Sequence, residues 1–255
     1  MKSDTYRFIK WNLCILLLFG CINHSFAQQG DTLRVDVGSS LIDGSFIDDY
    51  TNKWKVYVVD AQGNETLNRI WTDYGQLMEL NGITYLHRVQ DLYAPDHSLA
   101  DTWINMVEHK TLKPQKFYSI QPTGRMAYFS FYDDSVSFIN NLTSPDLSFS
   151  SGVTNLVAPV FDWNLYGFLL VGLPFKEGAF YALPFWSAQT QQVQTLIAEV
   201  HGKEVITALS GRKMETTKIS TNQGLVFWLS KEAPYVLWLE LSLPNGSKLV
   251  WKPEE

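Results

Sequence analysis

Asn81-Gly82-Ile83-Thr84-Tyr85-Leu86-His87-Arg88-Val89 is the stretch that decides the fold. Asn-Gly is the strongest short-range signal for a two-residue β-hairpin turn, because both residues tolerate a positive φ. The residues that follow alternate between apolar and polar side chains, which is typical of a half-buried strand. The sequence therefore predicts a hairpin whose second strand begins at Ile83.

The same two-residue period continues on both sides of this hairpin and is separated by turns rich in Gly, Asn, Asp and Pro. Further strands are predicted at Lys53–Val59, Leu67–Trp71, Thr102–Val107, Lys116–Ile120, Gly124–Tyr132, Ser135–Ile139, Phe180–Leu183, Val193–His201, Lys203–Leu209, Lys213–Ser220, Leu225–Leu229, Tyr235–Leu243 and Lys248–Trp251. About a dozen strands of this spacing indicate a large antiparallel sheet.

The middle of the chain differs from this pattern. Asn140 to Asn155 is rich in Ser, Thr, Asn and Pro and is predicted to be a long loop. Asp162 to Gly172 is the best helix candidate, because a nearly continuous apolar run ends at Gly172 and Pro174. The predicted fold class is mainly β, or β-rich α+β: a curved antiparallel sheet or incomplete barrel, as one unit or two β lobes, with one or two helices in the middle of the chain.

Composition excludes several classes of protein. Aromatic residues make up 14% of the 255 residues and charged residues 18%, whereas an ordinary globular chain is about one quarter charged. Intrinsic disorder requires low hydrophobicity and high charge, so it is excluded. The net charge of −6 argues against a nucleic-acid partner, which would need a basic face to neutralise phosphates.

The first 27 residues are predicted to be an export signal. Arg7 and Lys10 form a positive region, an apolar run reaches from Trp11 to Cys21, and Ala27 precedes the expected cleavage at Gln28. Residues 28–255 would then form a single β-rich domain, with sub-lobes 28–140 and 156–255 as an option.

A second interpretation of this segment is a lipoprotein signal. Leu18 to Cys21 is similar to a lipobox, in which Cys21 would be lipidated. The expected location is the periplasm or the periphery of the outer membrane, by soluble secretion or by a lipid anchor. Both cysteines, Cys14 and Cys21, fall within the signal, so conventional cleavage leaves no thiol for disulfides, metal binding or catalysis.

Motifs for known chemistry are scarce. The chain has no Gly-x-Ser-x-Gly elbow, no His-Glu-x-x-His and no phosphate-binding glycine-rich loop. The densest group of polar ligand types consists of His87, Asp91, Asp96, His97, Asp101 and His109. It is interpreted mainly as solvated loop, with a metal or acid–base site as the alternative. The sequence predicts neither catalytic residues nor a cofactor, which favours a non-catalytic role.

Aromatic residues interleaved with Pro are the best candidate for a ligand site, because small-molecule pockets are mostly apolar. The predicted lining residues are Trp103, Phe161, Trp163, Phe168, Phe175, Trp186 and Trp228. The alternative is that these rings fill the core and leave no space for a guest.

The C-terminal third carries a series of short motifs. They are Leu173-Pro174-Phe175, Val200-His201-Gly202-Lys203-Glu204-Val205, Met214-Glu215-Thr216-Thr217-Lys218-Ile219, Phe227-Trp228-Leu229-Ser230, Ala233-Pro234-Tyr235-Val236-Leu237 and Leu243-Pro244-Asn245-Gly246. This series resembles an exported bacterial family of unknown function allied in fold to the LolA/LolB lipoprotein carriers. The resemblance implies an incomplete barrel wrapped round a helix, whose apolar concave face holds acyl chains; it transfers no catalytic residue.

The functional prediction is an exported cell-envelope protein that binds or carries an acyl or lipid-like ligand without catalysis. The alternative is a structural or interaction protein of the envelope with a self-filled aromatic core. The expected partners are a lipid or other apolar ligand, or an outer-membrane or envelope protein.

Overall fold

A computed structural model describes residues 32–142, 144, 146–188 and 190–255. The predicted export signal and Cys21 lie outside the described residues. Within them the chain forms one sheet of 16 strands. The strands are β1 (Leu33–Arg34), β2 (Tyr50–Val59), β3 (Glu65–Leu80), β4 (Ile83–Tyr93), β5 (Leu99–Glu108), β6 (Pro114–Ile120), β7 (Met126–Phe131), β8 (Ser135–Asn140), β9 (Ser150–Asn155), β10 (Phe161–Asp162), β11 (Phe180–Ser187), β12 (Gln192–Thr207), β13 (Lys213–Thr221), β14 (Leu225–Leu229), β15 (Val236–Ser242) and β16 (Lys248–Pro253).

The sheet is a meander that joins both halves of the chain. Its strand order is β1-β11-β12-β13-β14-β15-β16-β2-β3-β4-β5-β6-β7-β8-β9, and β10 also pairs with β11. The two short strands β1 and β10 pair with β11 in parallel, and the other neighbours are antiparallel. The curved sheet does not close into a barrel among the described residues, because β9 pairs only with β8. The predicted fold class is therefore confirmed. The division into sub-lobes 28–140 and 156–255 stays a prediction.

The Asn-Gly hairpin is confirmed and sits between the two longest neighbouring strands of the N-terminal half. Asn81 and Gly82 have φ values of 54° and 77°, as a type I′ turn requires. Leu80 pairs with Ile83 directly beside the turn. The turn therefore fixes the register of β3 against β4, and with it the side chains that share a face.

The predicted helix is confirmed as a short 3-10 helix, Trp163–Leu165, followed by α1, Tyr166–Gly172. The side chain of Asp162 caps the 3-10 helix by accepting a hydrogen bond from the backbone N–H of Asn164. Nearly every residue of α1 is buried against the sheet; we call the face of the sheet on which α1 packs the inner face. No helix in the described part of the chain has the length and apolar character needed to span a bilayer.

Two local predictions were wrong. The loop predicted from Asn140 to Asn155 ends in strand β9, which pairs with β8 along its full length. Its Ser- and Thr-rich sequence is tolerated because β9 is an edge strand with most side chains exposed. The strands predicted on either side of Gly202 are one strand, β12, with a bulge between Val200 and Gly202. Glycine at a φ of 108° lets the strand continue through the bulge.

The apolar residues form two clusters on opposite sides of the sheet. The main cluster lies on the inner face and includes α1, Phe227 and Leu229. A smaller cluster contains Ile206, Ala208, Met214, Trp228 and Leu237. Since successive strand residues alternate between faces, Trp228 points away from its neighbours Phe227 and Leu229.

Candidate functional site

A cavity of about 100 Å³ lies between the inner face of the sheet and the N-terminal end of α1. We call it the tryptophan cavity, because five indole rings contribute to its wall: Trp54, Trp71, Trp103, Trp163 and Trp251. Aliphatic side chains of β14 and β15 close the opposite side. Trp163, Gly167 and Leu239 are half-buried, which places the mouth of the cavity between the helical segment and β15.

Strand alternation brings these rings together. Trp54 and Trp71 are paired residues of β2 and β3, and their ring centroids are 6.4 Å apart. Trp71 also contacts Trp103 at 5.3 Å and Trp251 at 5.7 Å, and Trp103 contacts Trp163 at 5.7 Å. Most of these contacts are edge-to-face, the arrangement that the quadrupoles of aromatic rings favour. The result is a rigid aromatic wall.

This wall includes buried indole N–H groups without a hydrogen-bond acceptor among the described residues. The Nε1 atoms of Trp71 and Trp251 are both buried and unpartnered. Trp54 differs, because its Nε1 donates to the backbone oxygen of Leu237 at 3.3 Å. The unpartnered donors lie among ring faces, where an N–H···π contact offers a weak substitute for a hydrogen bond.

A buried ion pair lies at the edge of the cavity. Arg88 donates to Asp73 through Nη2 at 2.6 Å and through Nε at 3.0 Å. The Tyr50 hydroxyl donates to the same carboxylate at 3.0 Å. Both charged side chains are at most 7% exposed. Burial is the largest single influence on the pKa of Arg88 and lowers it, but the charge of Asp73, the neighbouring Tyr50 and the hydrogen bonds to both together raise it above its ordinary value, so Arg88 stays ionised.

A second set of buried polar side chains fastens the 3-10 helix to the sheet. The Asn164 side-chain amide donates to Gln90 Oε1 at 3.0 Å and to Asn105 Oδ1 at 2.8 Å. Asn105 donates in turn to Asp162 Oδ2 at 2.6 Å, and Arg88 donates to the backbone oxygen of Asn164 at 2.9 Å. Burial raises the pKa of Asp162 to about 7. These bonds hold the helical segment at a fixed height above the sheet.

The structure brings some of the predicted lining residues to the cavity and leaves others elsewhere. Trp103 and Trp163 line it. Phe168 lies just beyond, under the Arg88 guanidinium at 4.7 Å. Phe161 is fully buried in β10, and Phe175 lies near the other end of α1, 4.3 Å from Lys231 Nζ. Trp228 faces the smaller cluster on the other side of the sheet, so it does not share a site with the rest.

Trp186 lies in a group of closely packed rings. Its ring contacts Phe129 at 5.0 Å, Phe138 at 6.0 Å and Phe131 at 6.5 Å. Trp186 itself is 1% exposed. These contacts make Trp186 part of the buried core of the inner face.

The polar residues proposed as a metal or acid–base alternative are spread over separate places. His87 and Asp91 alternate with the inward residues of β4 and point away from the inner face. Asp96 and His97 lie in a turn. Asp101 is buried and accepts a hydrogen bond from Ser119. Over the described ranges, no three His, Cys, Asp or Glu side chains come close enough to hold a metal ion.

The sequence reasoning missed the buried polar residues Asp73, Arg88, Gln90 and Asn105 and the half-buried Asn164. The signal in the sequence was the alternation of side chains along each strand, which tells which residues share a face. Asp73 shares a face with Trp71, Arg88 shares a face with Leu86, and Asn105 shares a face with Trp103. Polar residues at inward positions of an otherwise apolar face indicate a buried network.

Comparison with known families gives one match for most of the chain. A family model described as "Protein of unknown function (DUF3108)" matches residues 49–250, which include α1 and every lining residue of the tryptophan cavity except Trp251. No curated protein matches the chain.

Two solved structures are similar over most of their length. One is a "putative lipoprotein" from Parabacteroides distasonis, at 14% identity and a TM-score of 0.37, covering 85% of this chain and 99% of that one. The other is a "Beta-barrel-like Protein of Domain of Unknown Function DUF1849" from Brucella abortus, at 10% identity and a TM-score of 0.39, covering 84% and 97%. Similarity at this level supports no inference about function.

Proposed function

The chain belongs to the DUF3108 family of proteins of unknown function, and we propose that it is an exported cell-envelope protein that binds a hydrophobic, lipid-like ligand without catalysis. The observation that carries this proposal is the tryptophan cavity. Its walls are mostly aromatic and aliphatic, and a few polar side chains, Arg88, Gln90 and Asn164, reach its edge. That combination is typical of small-molecule pockets.

The size of the cavity limits what it can hold. An empty apolar cavity of about 150 Å³ accepts benzene, and the tryptophan cavity is smaller, at about 100 Å³. The bound part is therefore a short group, such as the end of an acyl chain, while the rest of the ligand leaves through the mouth beside Leu239. Each buried methylene would contribute about 0.8 kcal/mol to binding.

The finer proposal is carriage of an acyl chain in the manner of the LolA/LolB lipoprotein carriers. A curved sheet with a short helix on its apolar inner face supports it. A carrier needs a ligand that leaves as readily as it enters, and a half-buried mouth meets that requirement. In this proposal the partners are a lipid donor and an acceptor at the outer-membrane periphery.

Native mass spectrometry tests the ligand. The full chain is produced with its own signal and purified gently from the envelope of the host cell. We expect a population whose mass exceeds the polypeptide by a lipid-sized molecule. Leu239→Phe places a larger side chain at the mouth and should remove that population. Leu77→Phe is the matched control, because Leu77 is also partly buried on the main cluster but does not line the cavity. A wild-type spectrum that shows only the bare polypeptide contradicts the proposal.

The second candidate is a structural or interaction protein of the envelope. It is favoured by a specific feature of edge strand β9 and its flanks, where Phe149, Val153 and Val157 are exposed. An exposed edge with apolar side chains is a common site of contact with another chain. The closely packed rings around Trp186 also fit this candidate. A bare polypeptide mass together with co-purification of a defined partner would favour it.

The proposed compartment has its own test, the mature N-terminus. Intact mass and N-terminal sequencing of protein from the envelope fraction distinguish the two processing routes. Cleavage before Gln28 supports soluble secretion to the periplasm, and a lipidated Cys21 supports anchoring to a membrane. An uncleaved Met1 in cells that process a control signal normally contradicts export.

A further inference from the structure

A second concavity, of about 450 Å³, lies toward the C-terminal end of α1. It is bounded by the outer half of the β12–β13 hairpin and by the loop that joins β14 to β15. We call it the basic groove, since four cationic side chains line it: Lys203, Arg212, Lys213 and Lys231.

The charges of the groove differ from those of the rest of the protein. Glu215 and Glu232 also line it, so its formal net charge is +2, within a chain whose net charge is −6. Outside the groove, Lys218, Lys248 and Lys252 each form an ion pair with a glutamate.

In contrast, no ion pair within the described residues involves Lys203, Arg212 or Lys213. Three unpaired cations in one concavity create a local field that attracts anions.

Lys231 has a separate role at the wall of the groove. Its ammonium donates to the backbone oxygens of Val171 and Leu173 and lies over the ring of Phe46 at 4.8 Å. These carbonyls form the negative end of α1, which would repel an anion. Lys231 neutralises that end, so the charges of Lys203, Arg212 and Lys213 act unopposed by the helix.

Part of the groove lining is apolar. Phe175 is half-buried and stands at one side. Leu229, Met214 and Leu237 also belong to the lining but are themselves buried. The ring of Phe175 therefore gives apolar surface beside the cationic side chains.

We propose that the basic groove binds an alkyl phosphate, with the phosphate against Lys203, Arg212 and Lys213 and the first methylenes against the ring of Phe175. A phosphate monoester carries close to two negative charges at neutral pH, which matches the net charge of the groove. Arginine and lysine together suit phosphate recognition, because the guanidinium binds two oxygens and the ammonium acts as a point charge. This site is separate from the tryptophan cavity and does not depend on the function proposed there.

Isothermal titration calorimetry with hexyl phosphate tests the proposal on the folded, signal-cleaved protein. We expect one site, and the Lys203→Gln/Lys213→Gln variant should bind at least about tenfold more weakly, because two charge-assisted contacts are lost. The matched control is Lys53→Gln/Lys116→Gln, which removes the same charge from exposed strand positions outside the groove. It should change the affinity by less than about twofold, as expected for distant surface charges in salt. Circular dichroism confirms that both variants are folded.

Two further probes separate the contribution of the alkyl chain from that of the phosphate. Inorganic phosphate lacks the alkyl chain, and 1-hexanol lacks the charge, so both should bind at least about tenfold more weakly than hexyl phosphate. Equal binding of inorganic phosphate would overturn the alkyl class, and equal binding of 1-hexanol would place the probe in an apolar site. Equal affinity of hexyl phosphate for wild type and the groove variant would overturn the site itself. None of these results depends on whether a lipid is retained in the tryptophan cavity.

Discussion

Two aromatic regions share the inner face, and they differ in the side chains that surround the rings. Around Trp186 the rings of Phe129, Phe131 and Phe138 lie with their centroids at most 6.5 Å from that of the indole. Around Trp71 an even denser set of indoles surrounds a cavity of about 100 Å³. Aromatic content alone therefore does not decide between a packed core and a pocket.

The difference follows from the polar side chains beneath the rings. The Trp186 contacts are made with apolar residues, which can shift until the space is filled. Beside the tryptophan cavity, Arg88, Asn105 and Asp162 must keep their hydrogen bonds, because a buried polar group without a partner is costly. Those bonds set the distance from the helical segment to the sheet. The rings near them cannot collapse into the remaining space.

The largest expected effect is a difference between two Trp→Ala substitutions. Trp186→Ala should lower the free energy of unfolding by about 4 kcal/mol, since it opens a cavity in a filled core. Trp163→Ala should cost only about 2 kcal/mol, because this ring is half-buried and already borders a void. Urea denaturation at constant m-value measures both. Equal costs would mean that the two regions are packed alike.

The next effect tests the polar network. Arg88→Met leaves Asp73 buried without its cation and should lower the free energy of unfolding by about 3 kcal/mol. Adding Asp73→Asn removes the unpaired buried charge. The double variant should therefore recover at least half of the unfolding free energy that Arg88→Met loses. Tyr50 can still donate to the asparagine oxygen. A double variant no more stable than the single one would show that packing, and not charge, accounts for the cost.

The sheet itself was predictable from the sequence because its determinants are local. Alternation over short windows identifies β4 and β5, and the Asn81-Gly82 turn identifies a hairpin. The edge strand β9 was missed because its stability comes from pairing with β8 and not from its own composition. Likewise, the bulge at Gly202 interrupts the alternation of β12 although the strand continues.

The site was predicted only in part, since its geometry depends on contacts between distant segments. Trp103 and Trp163 were expected to line a pocket, but Trp71 and Trp251, on strands far apart in the sequence, complete the wall. Trp228 was grouped with them on residue type alone. The bulge in β14 and β15 at Trp228 and the alternation of β14 put its ring on the other face, which only the register reveals.

A smaller effect is a pH dependence of stability. The folded pKa of Asp162 is about 7, against an ordinary value of 3.8. Between these values the folded protein binds a proton that the unfolded chain releases, so stability falls as pH rises. We expect the free energy of unfolding to fall by about 2 kcal/mol between pH 5 and pH 7. Burial also raises the pKa of Asp101, which changes stability with pH in the same direction. Asp162→Asn should flatten this slope in urea titrations, and the exposed Asp48→Asn should keep it. An unchanged slope in Asp162→Asn would assign the dependence to other groups.

The smallest effect concerns Trp228, and it sharpens the distinction between the two faces of the sheet. Its Nε1 donates to Glu204 at 2.7 Å, and its ring meets Trp238 edge-to-face at 6.3 Å. Trp228→Phe keeps a ring but loses the hydrogen bond, so it should cost about 1 kcal/mol of unfolding free energy. The pKa of Glu204, held below its usual range mainly by this bond, should rise in an NMR titration. Because Trp228 lies outside the tryptophan cavity, the lipid-bound population in native mass spectra should be unchanged. A variant that loses the ligand would mean that the two faces are coupled through β14.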